Sequence, residues 1–138
     1  MDRKEFLSAL GLSSGALIVT SCLAACAKNT TNSNVTAPIV DFTLDLSSPA
    51  NAALNNPGGY VYSTGVIVAK TTAGNIIAVS QACTHQGVDV IYNSNNQFYC
   101  PSHGAAFSTT GAVINGPANT ALKEYKVTVT GNKVNVTG

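Results

Sequence analysis

Two short segments of this 138-residue chain carry the side chains best suited to chemistry, Cys83-Thr-His85-Gln-Gly87 and Cys100-Pro-Ser-His103-Gly104. Each offers one thiol and one imidazole, and 14 residues separate His85 from Cys100. Two thiolates with two neutral imidazoles form a soft, metal-binding donor set. Three chemistries fit it: an iron–sulfur cluster on mixed ligands, a zinc site, or a Cys83–Cys100 disulfide. Zinc sites of this composition typically take the Cys as one close pair and the His as another, not one of each in two separate loops. A disulfide suits an oxidising compartment but gives His85 and His103 no task.

No other constellation competes with these four residues. There is no nucleophile–base pair, and Asp41, Asp45, Asp89 and Glu124 are scattered along the chain, as expected of solvated faces. Lys70, Lys123, Lys126 and Lys133 are most simply solubilising charges. Only 9% of the residues are charged and the net charge is +1, with no basic patch to neutralise phosphates, so the sequence gives no reason to expect nucleic acid as a partner.

The elements that must position the two segments are strands. Ile39 to Leu46 alternates apolar with polar, and Tyr60 to Ala69 and Asn75 to Ser80 are β-branched runs separated by turn residues. Tyr125, Val127 and Val129 share one face, and Gly131-Asn132 supplies a tight turn before Val134 and Val136. Leu46 to Gly59, with Pro49, Pro57, Gly58 and Gly59, reads as an irregular connection, and no long helix or internal repeat is evident. Tyr60, Tyr62, Tyr92 and Phe98 are expected in the core or covering it. The two Cys/His segments flank a short strand, Gln97-Phe98-Tyr99, and a turn at Asn93–Asn96, so a hairpin would bring them side by side. The fold class expected from the pattern is all-β, one domain of about 100 residues over 39–138.

On these residues the chain resembles the Rieske [2Fe–2S] proteins, closely over residues 76–118 and loosely over the whole β domain, and the resemblance implies an antiparallel β sandwich with a small cluster-binding part at about 81–118. The resemblance implies a [2Fe–2S] cluster as cofactor, with Cys83 and Cys100 on the inner iron and His85 and His103 on the outer one. Gly116-Pro117-Ala118 is similar to that family's "Pro loop", which covers a further side of the cluster, and Gly87 and Gly104 are read as supports of the two ligand loops. Thr84 and Pro101 are read as loop-shaping. The respiratory type of the family carries an extra Cys in each loop, bridged as a disulfide; here those positions are Val88 and Ser102. That type also offers Ser and Tyr hydroxyls to the cluster sulfurs; here Ala105 and Phe107 stand there. Gln86 replaces an apolar residue. Two neutral imidazoles in place of two thiolates raise the potential, and the missing hydroxyls lower it again within the family range of about −150 to +300 mV. The imidazoles' exchangeable protons imply coupled electron and proton uptake.

The function implied is one-electron transfer, as a free carrier or as a small subunit of a redox complex. Its partners would be a quinol-linked complex, a cytochrome or the large subunit of an oxidoreductase. No domain for a mononuclear iron accompanies the site, which argues against an oxygenase component. The alternative is a metal-free, disulfide-stabilised or zinc-binding β domain acting as a binding module.

Residues 1–26 read as an export signal. Asp2-Arg3-Lys4-Glu5 is charged, Leu10 to Ala25 is mostly apolar or small, and Leu23-Ala24-Ala25-Cys26 resembles a lipoprotein signal with Cys26 as the lipidated residue. Arg3-Lys4 resembles a twin-arginine signal with Lys in the second place. Residues 27–38, rich in Asn, Thr and Ser, cannot bury a face and read as a flexible tether. Val19-Thr20-Ser21-Cys22 is a second, weaker lipidation candidate, and an uncleaved membrane anchor is the alternative; the expected location is exported and lipid-anchored, on the periplasmic side of a membrane or at the cell surface.

Overall fold

The computed structural model describes residues 36–138. The export signal, the lipidation site Cys26 and the tether up to residue 35 lie outside the described residues. Ten strands run in chain order: β1 Asp41–Asp45, β2 Tyr60–Ser63, β3 Val66–Lys70, β4 Ile76–Ser80, β5 Ile91–Asn93, β6 Gln97–Tyr99, β7 Ala106–Phe107, β8 Val113–Asn115, β9 Lys126–Thr130 and β10 Lys133–Thr137. They form three antiparallel sheets, β1-β10-β9, β2-β3-β4 and β5-β6-β7-β8. The all-β fold is as expected.

The sheets stack in an order that β3 makes plain. In a strand, successive side chains point to opposite faces, and Val66, Ile67, Val68 and Ala69 are all buried. Val66 and Val68 join Leu44, Ala78, Tyr125, Val134 and Val136 in one core, between the middle sheet and β1-β10-β9. Ile67 and Ala69 join Val79, Phe98, Phe107 and both site cysteines in a second core, on the other face of the same sheet. The middle sheet is thus covered on both sides. The two-sheet sandwich expected from the sequence is the half formed around Leu44 and Val134, and the site-bearing sheet is a third layer on its back.

Two local readings are corrected. The run Tyr60 to Ala69 is not one strand but a hairpin, β2–β3, turning at Thr64-Gly65 with φ of 48° and 84°. Positive φ at both central residues is the turn that matches strand twist. A side chain at Gly65 would also come within 2.8 Å of the Pro38 ring. The connection Leu46 to Gly59 contains a 3₁₀ helix, Pro49–Asn55, whose Leu54 is fully buried. Pro49 opens it, where a missing N–H costs nothing.

The start of the domain is pinned. The Tyr125 hydroxyl donates to the Pro38 carbonyl at 2.6 Å, and Val40 and Gly138 exchange both backbone hydrogen bonds. Tyr125 N–H donates to the Ala78 carbonyl and Val79 bridges Glu124, which stitches the two sandwich sheets together beside the root of the first Cys/His loop.

Candidate metal centre

Cys83 and Cys100 each open a loop closed in the same way. The Cys83 N–H donates to the Val88 carbonyl at 2.8 Å, and its carbonyl accepts from Gly87 N–H at 2.7 Å. The Cys100 N–H donates to the Ala105 carbonyl at 2.8 Å, and its carbonyl accepts from Gly104 N–H at 3.0 Å. Gly87 (φ 77°) and Gly104 (φ 80°) both hold the left-handed conformation that glycine adopts without cost. What the two segments share is therefore Gly four residues after Cys. The His offset differs, two residues on in the first loop and three in the second.

Hydrogen bonds between strands bring the loops together. The first springs from β4 and is closed by the Ala82–Asp89 bridge and by Gln81 donating to the Asp89 carboxylate. The second follows β6, which pairs with β5 directly behind the first loop, so the hairpin expected around Asn93–Asn96 is present. Asn96, at φ 56°, ties that turn to the middle sheet: its side chain accepts from Thr72 N–H and from the Tyr92 hydroxyl and donates to the Thr72 hydroxyl.

Both cysteine side chains end up buried in the second core as free thiols. Burial pushes the Cys83 thiol up from its usual value. The adjacent Cys100 thiol adds to the rise, while the backbone N–H groups of His85 and Gln86 pull the other way. The imidazoles stand further out, His85 half-buried and His103 exposed, with ring centroids 4.8 Å apart and planes nearly perpendicular at 83°. His85 Nδ1 is buried and has no hydrogen-bond partner. A buried polar atom left unpaired is costly, so such an atom in a native site asks for a ligand.

A third segment closes over the loops. Gly116–Pro117 is a cis peptide, and Ala118 packs in the core beside the cysteines. The Thr84 hydroxyl donates to the Thr120 carbonyl at 2.6 Å, and the Asn115 side-chain amide donates to the Gly104 carbonyl at 3.2 Å. The Pro loop is thereby tied to both ligand loops. Thr84 shapes the site by bonding across 36 residues, not within its own loop. Asn115 and Tyr99 were not singled out from the sequence. Tyr99 places its hydroxyl 3.8 Å from where a side chain at Gly104 would begin, and only the pairing of β6 with β7 reveals that proximity.

The donors fit a two-metal group. The two thiols are buried in one core, and the two imidazoles stand further out as a second pair. Two buried thiols beside two outward imidazoles, one with a partnerless buried nitrogen, match the split ligand set of a [2Fe–2S] cluster with Cys₂ and His₂ on its two irons.

Comparison with known proteins agrees. The Rieske [2Fe-2S] domain family matches residues 49–126, more than half of the chain. The chain belongs to the Rieske [2Fe–2S] domain family, whose domain binds a [2Fe–2S] cluster. It is 34% identical over 76 residues to a cytochrome b6-f complex iron-sulfur subunit of Chlorobaculum thiosulfatiphilum, covering 54% of this chain and 42% of that protein. The chain spans less than half the length of the first such relatives. Among solved structures it is similar to the plasma membrane Rieske protein PetC3 of Synechocystis PCC 6803, with 33% identity and a TM-score of 0.54, over 69% of this chain and 99% of that one. It is also similar to a ferredoxin of Sphingomonas yanoikuyae B1, with 25% identity and a TM-score of 0.54, over 60% and 88% of the two chains. Among the described residues no helix is long and apolar enough to cross a membrane.

Proposed function

We propose that the protein transfers single electrons through a [2Fe–2S] cluster held by Cys83, Cys100, His85 and His103. The observation that carries this reading is the pairing of two buried free thiols with two imidazoles 4.8 Å apart, one of which keeps a buried nitrogen without a partner. When bound, the cluster supplies a site that takes up and releases one electron. The protein's residues do the rest. Cys83 and Cys100, buried together in the second core, would hold the cluster as thiolates and keep water from it. The N–H groups of His85 and Gln86 point toward the Cys83 sulfur and favour its ionised form. His103, the more exposed of the two imidazoles, would face a partner.

The protein would serve as a free carrier or as a small subunit of a redox complex, with a cytochrome, a quinol-linked complex or an oxidoreductase as partner. Its kinship with cytochrome b6-f subunits supports such partners. Lipidation at Cys26 and a tether that ends before the pinned Pro38 would hold the domain at the outer face of a membrane, and the mass of the processed N-terminus tests this. Analysis of the purified holoprotein tests the cluster: two irons and two acid-labile sulfides per chain are expected. Cys83→Ser and His85→Ala should each lose the full complement. One zinc per chain, or no metal at full occupancy of folded protein, would refute it.

A further inference from the structure

The Pro loop opens with a pair of residues that the fold does not explain. Asn115-Gly116 is the one Asn-Gly dipeptide of the chain. Gly87, Gly104 and Gly111 take positive φ, but Gly116 does not, and a side chain there would meet nothing within 4 Å. Neither backbone conformation nor crowding demands glycine at this position. What glycine after asparagine does allow is chemistry. Asparagine is a heat-labile residue, and with no Cβ in the way the next amide nitrogen can reach its side-chain carbonyl and close a five-membered ring.

Asn115 is placed for that reaction. It is exposed, and it ends β8, a three-residue strand whose pairing with β7 is irregular between Ala106 and Phe107. Short, irregularly paired ends open at low cost, which releases the backbone from the extended conformation that keeps the two groups apart. Among the described residues the Asn115 side chain makes a single hydrogen bond, from Nδ2 to the Gly104 carbonyl at 3.2 Å. Asn93, before Ser94, is the contrast. Its Oδ1 accepts from Asn95 N–H at 3.0 Å and Gln97 N–H at 3.2 Å, which hold the carbonyl in the turn.

We propose that Asn115-Gly116 is a self-modifying site, whose slow conversion to aspartate and isoaspartate unties the Pro loop from the second ligand loop. The Gly116 nitrogen bonds to Asn115 Cγ, the Cγ–Nδ2 bond breaks, and ammonia leaves, taking through solvent the proton that Gly116 gives up. One water then opens the succinimide. Cleavage at Cγ gives aspartate, and cleavage at the main-chain carbonyl gives isoaspartate, with one more carbon in the backbone. No electron is gained or lost. Either product carries a carboxylate in place of the amide, so the Gly104 carbonyl loses its donor and faces another acceptor. From Thr71 to Leu122 the chain has one charged residue, Asp89. A second negative charge beside the ligand loop would disfavour the arrival of an electron. This last consequence alone rests on the electron-transfer reading above.

Peptide mass mapping of the holoprotein, kept for weeks at physiological temperature, tests the site. The mass gain of amide-to-acid exchange should appear at Asn115 about ten-fold or more faster than at Asn93. Gly116→Ala, for which there is space, should slow it by about ten-fold or more. An isoaspartyl methyltransferase should label aged wild type far more than aged Gly116→Ala. Another asparagine of the described domain leading, or an unchanged rate in Gly116→Ala, would overturn the site. Asn115→Asp reads the consequence directly: cluster absorbance should fade about two-fold or more faster on storage, and the midpoint potential should drop. Asn115→Ala, which breaks the tie without adding charge, should share the faster fading and keep the wild-type potential. Wild-type lifetime and potential in Asn115→Asp would overturn the effect on the ligand loops. A protein that never shows the cluster spectrum overturns the function proposed above, while the mass and methylation readouts still decide the modification.

Discussion

At the scale of residues, the two ligand loops rest on glycines whose role is conformational. Gly104 has open space where a side chain would begin, apart from the Tyr99 hydroxyl at ordinary contact distance. Gly104→Ala should therefore cost only the left-handed backbone penalty of about 1–2 kcal/mol, read as a shifted urea midpoint with the cluster retained. Gly111 offers the contrast, since a side chain there would meet the Leu122 carbonyl at 2.5 Å, and Gly111→Ala should cost more. Ala105 and Phe107 stand where the resemblance places hydroxyl donors. Restoring one by Phe107→Tyr should raise the midpoint potential: a net hydrogen bond of about 1 kcal/mol corresponds to roughly 40 mV for a one-electron couple. The wild-type value should lie in the lower or middle part of the range of about −150 to +300 mV. A value near its top would show that other donors replace the hydroxyls.

At the scale of elements, the sandwich half is fastened by pairs such as Asp45 with Lys133, which join β1 to β10. Hydrogen bonds from Lys133 and then Ser47 hold the Asp45 carboxyl well below the usual carboxylate range. A carboxyl depressed in the folded state stabilises it above the unfolded value of about 3.9 and loses that contribution as pH falls through and below it. The pair is exposed and screened by salt. The difference in urea midpoint between wild type and Asp45→Asn should thus be small at pH 7, smaller in high salt, and absent in strong acid. The sequence made strands visible wherever alternation or β-branching was continuous, as in β1, β4 and the β9–β10 hairpin. It hid the β2–β3 hairpin, because Ser63-Thr64-Gly65 looks like the middle of a β-rich run and only the φ values reveal the turn. β7 and β8, two and three residues long, are too short to show a period. Their existence depends on pairing with β6 and with one another. The four candidate donors stand out in the sequence because two Cys/His segments so spaced suit few chemistries. The ties that position them, Thr84 to Thr120 and Asn115 to Gly104, join residues distant in sequence and have no local signature.

At the scale of the whole domain, the site and the core are one structure. Cys83 and Cys100 share a core with Ile67, Val79, Phe98 and Phe107, so whatever binds the sulfurs also closes the third layer. Removing iron by chelation under reducing conditions should lower the unfolding midpoint by about 10 °C or more, equivalent to roughly 2 kcal/mol for a domain of this size. Phe98→Ala, which empties a fully buried ring position in the same layer, should cost about 3–5 kcal/mol and reduce cluster retention with it. The same substitution strategy in the other core, Val134→Ala, should destabilise the fold while leaving the spectrum of the folded fraction unchanged, because Val134 faces the sandwich half. The most direct measurement of the central claim is electron paramagnetic resonance of the purified protein before and after one-electron reduction. A silent oxidised sample that gains a rhombic signal of one spin per cluster on reduction, with Cys100→Ser or His103→Ala lacking that signal, is the expected result. A sample that stays silent after reduction, with zinc bound or with Cys83 and Cys100 joined as a disulfide, would contradict it.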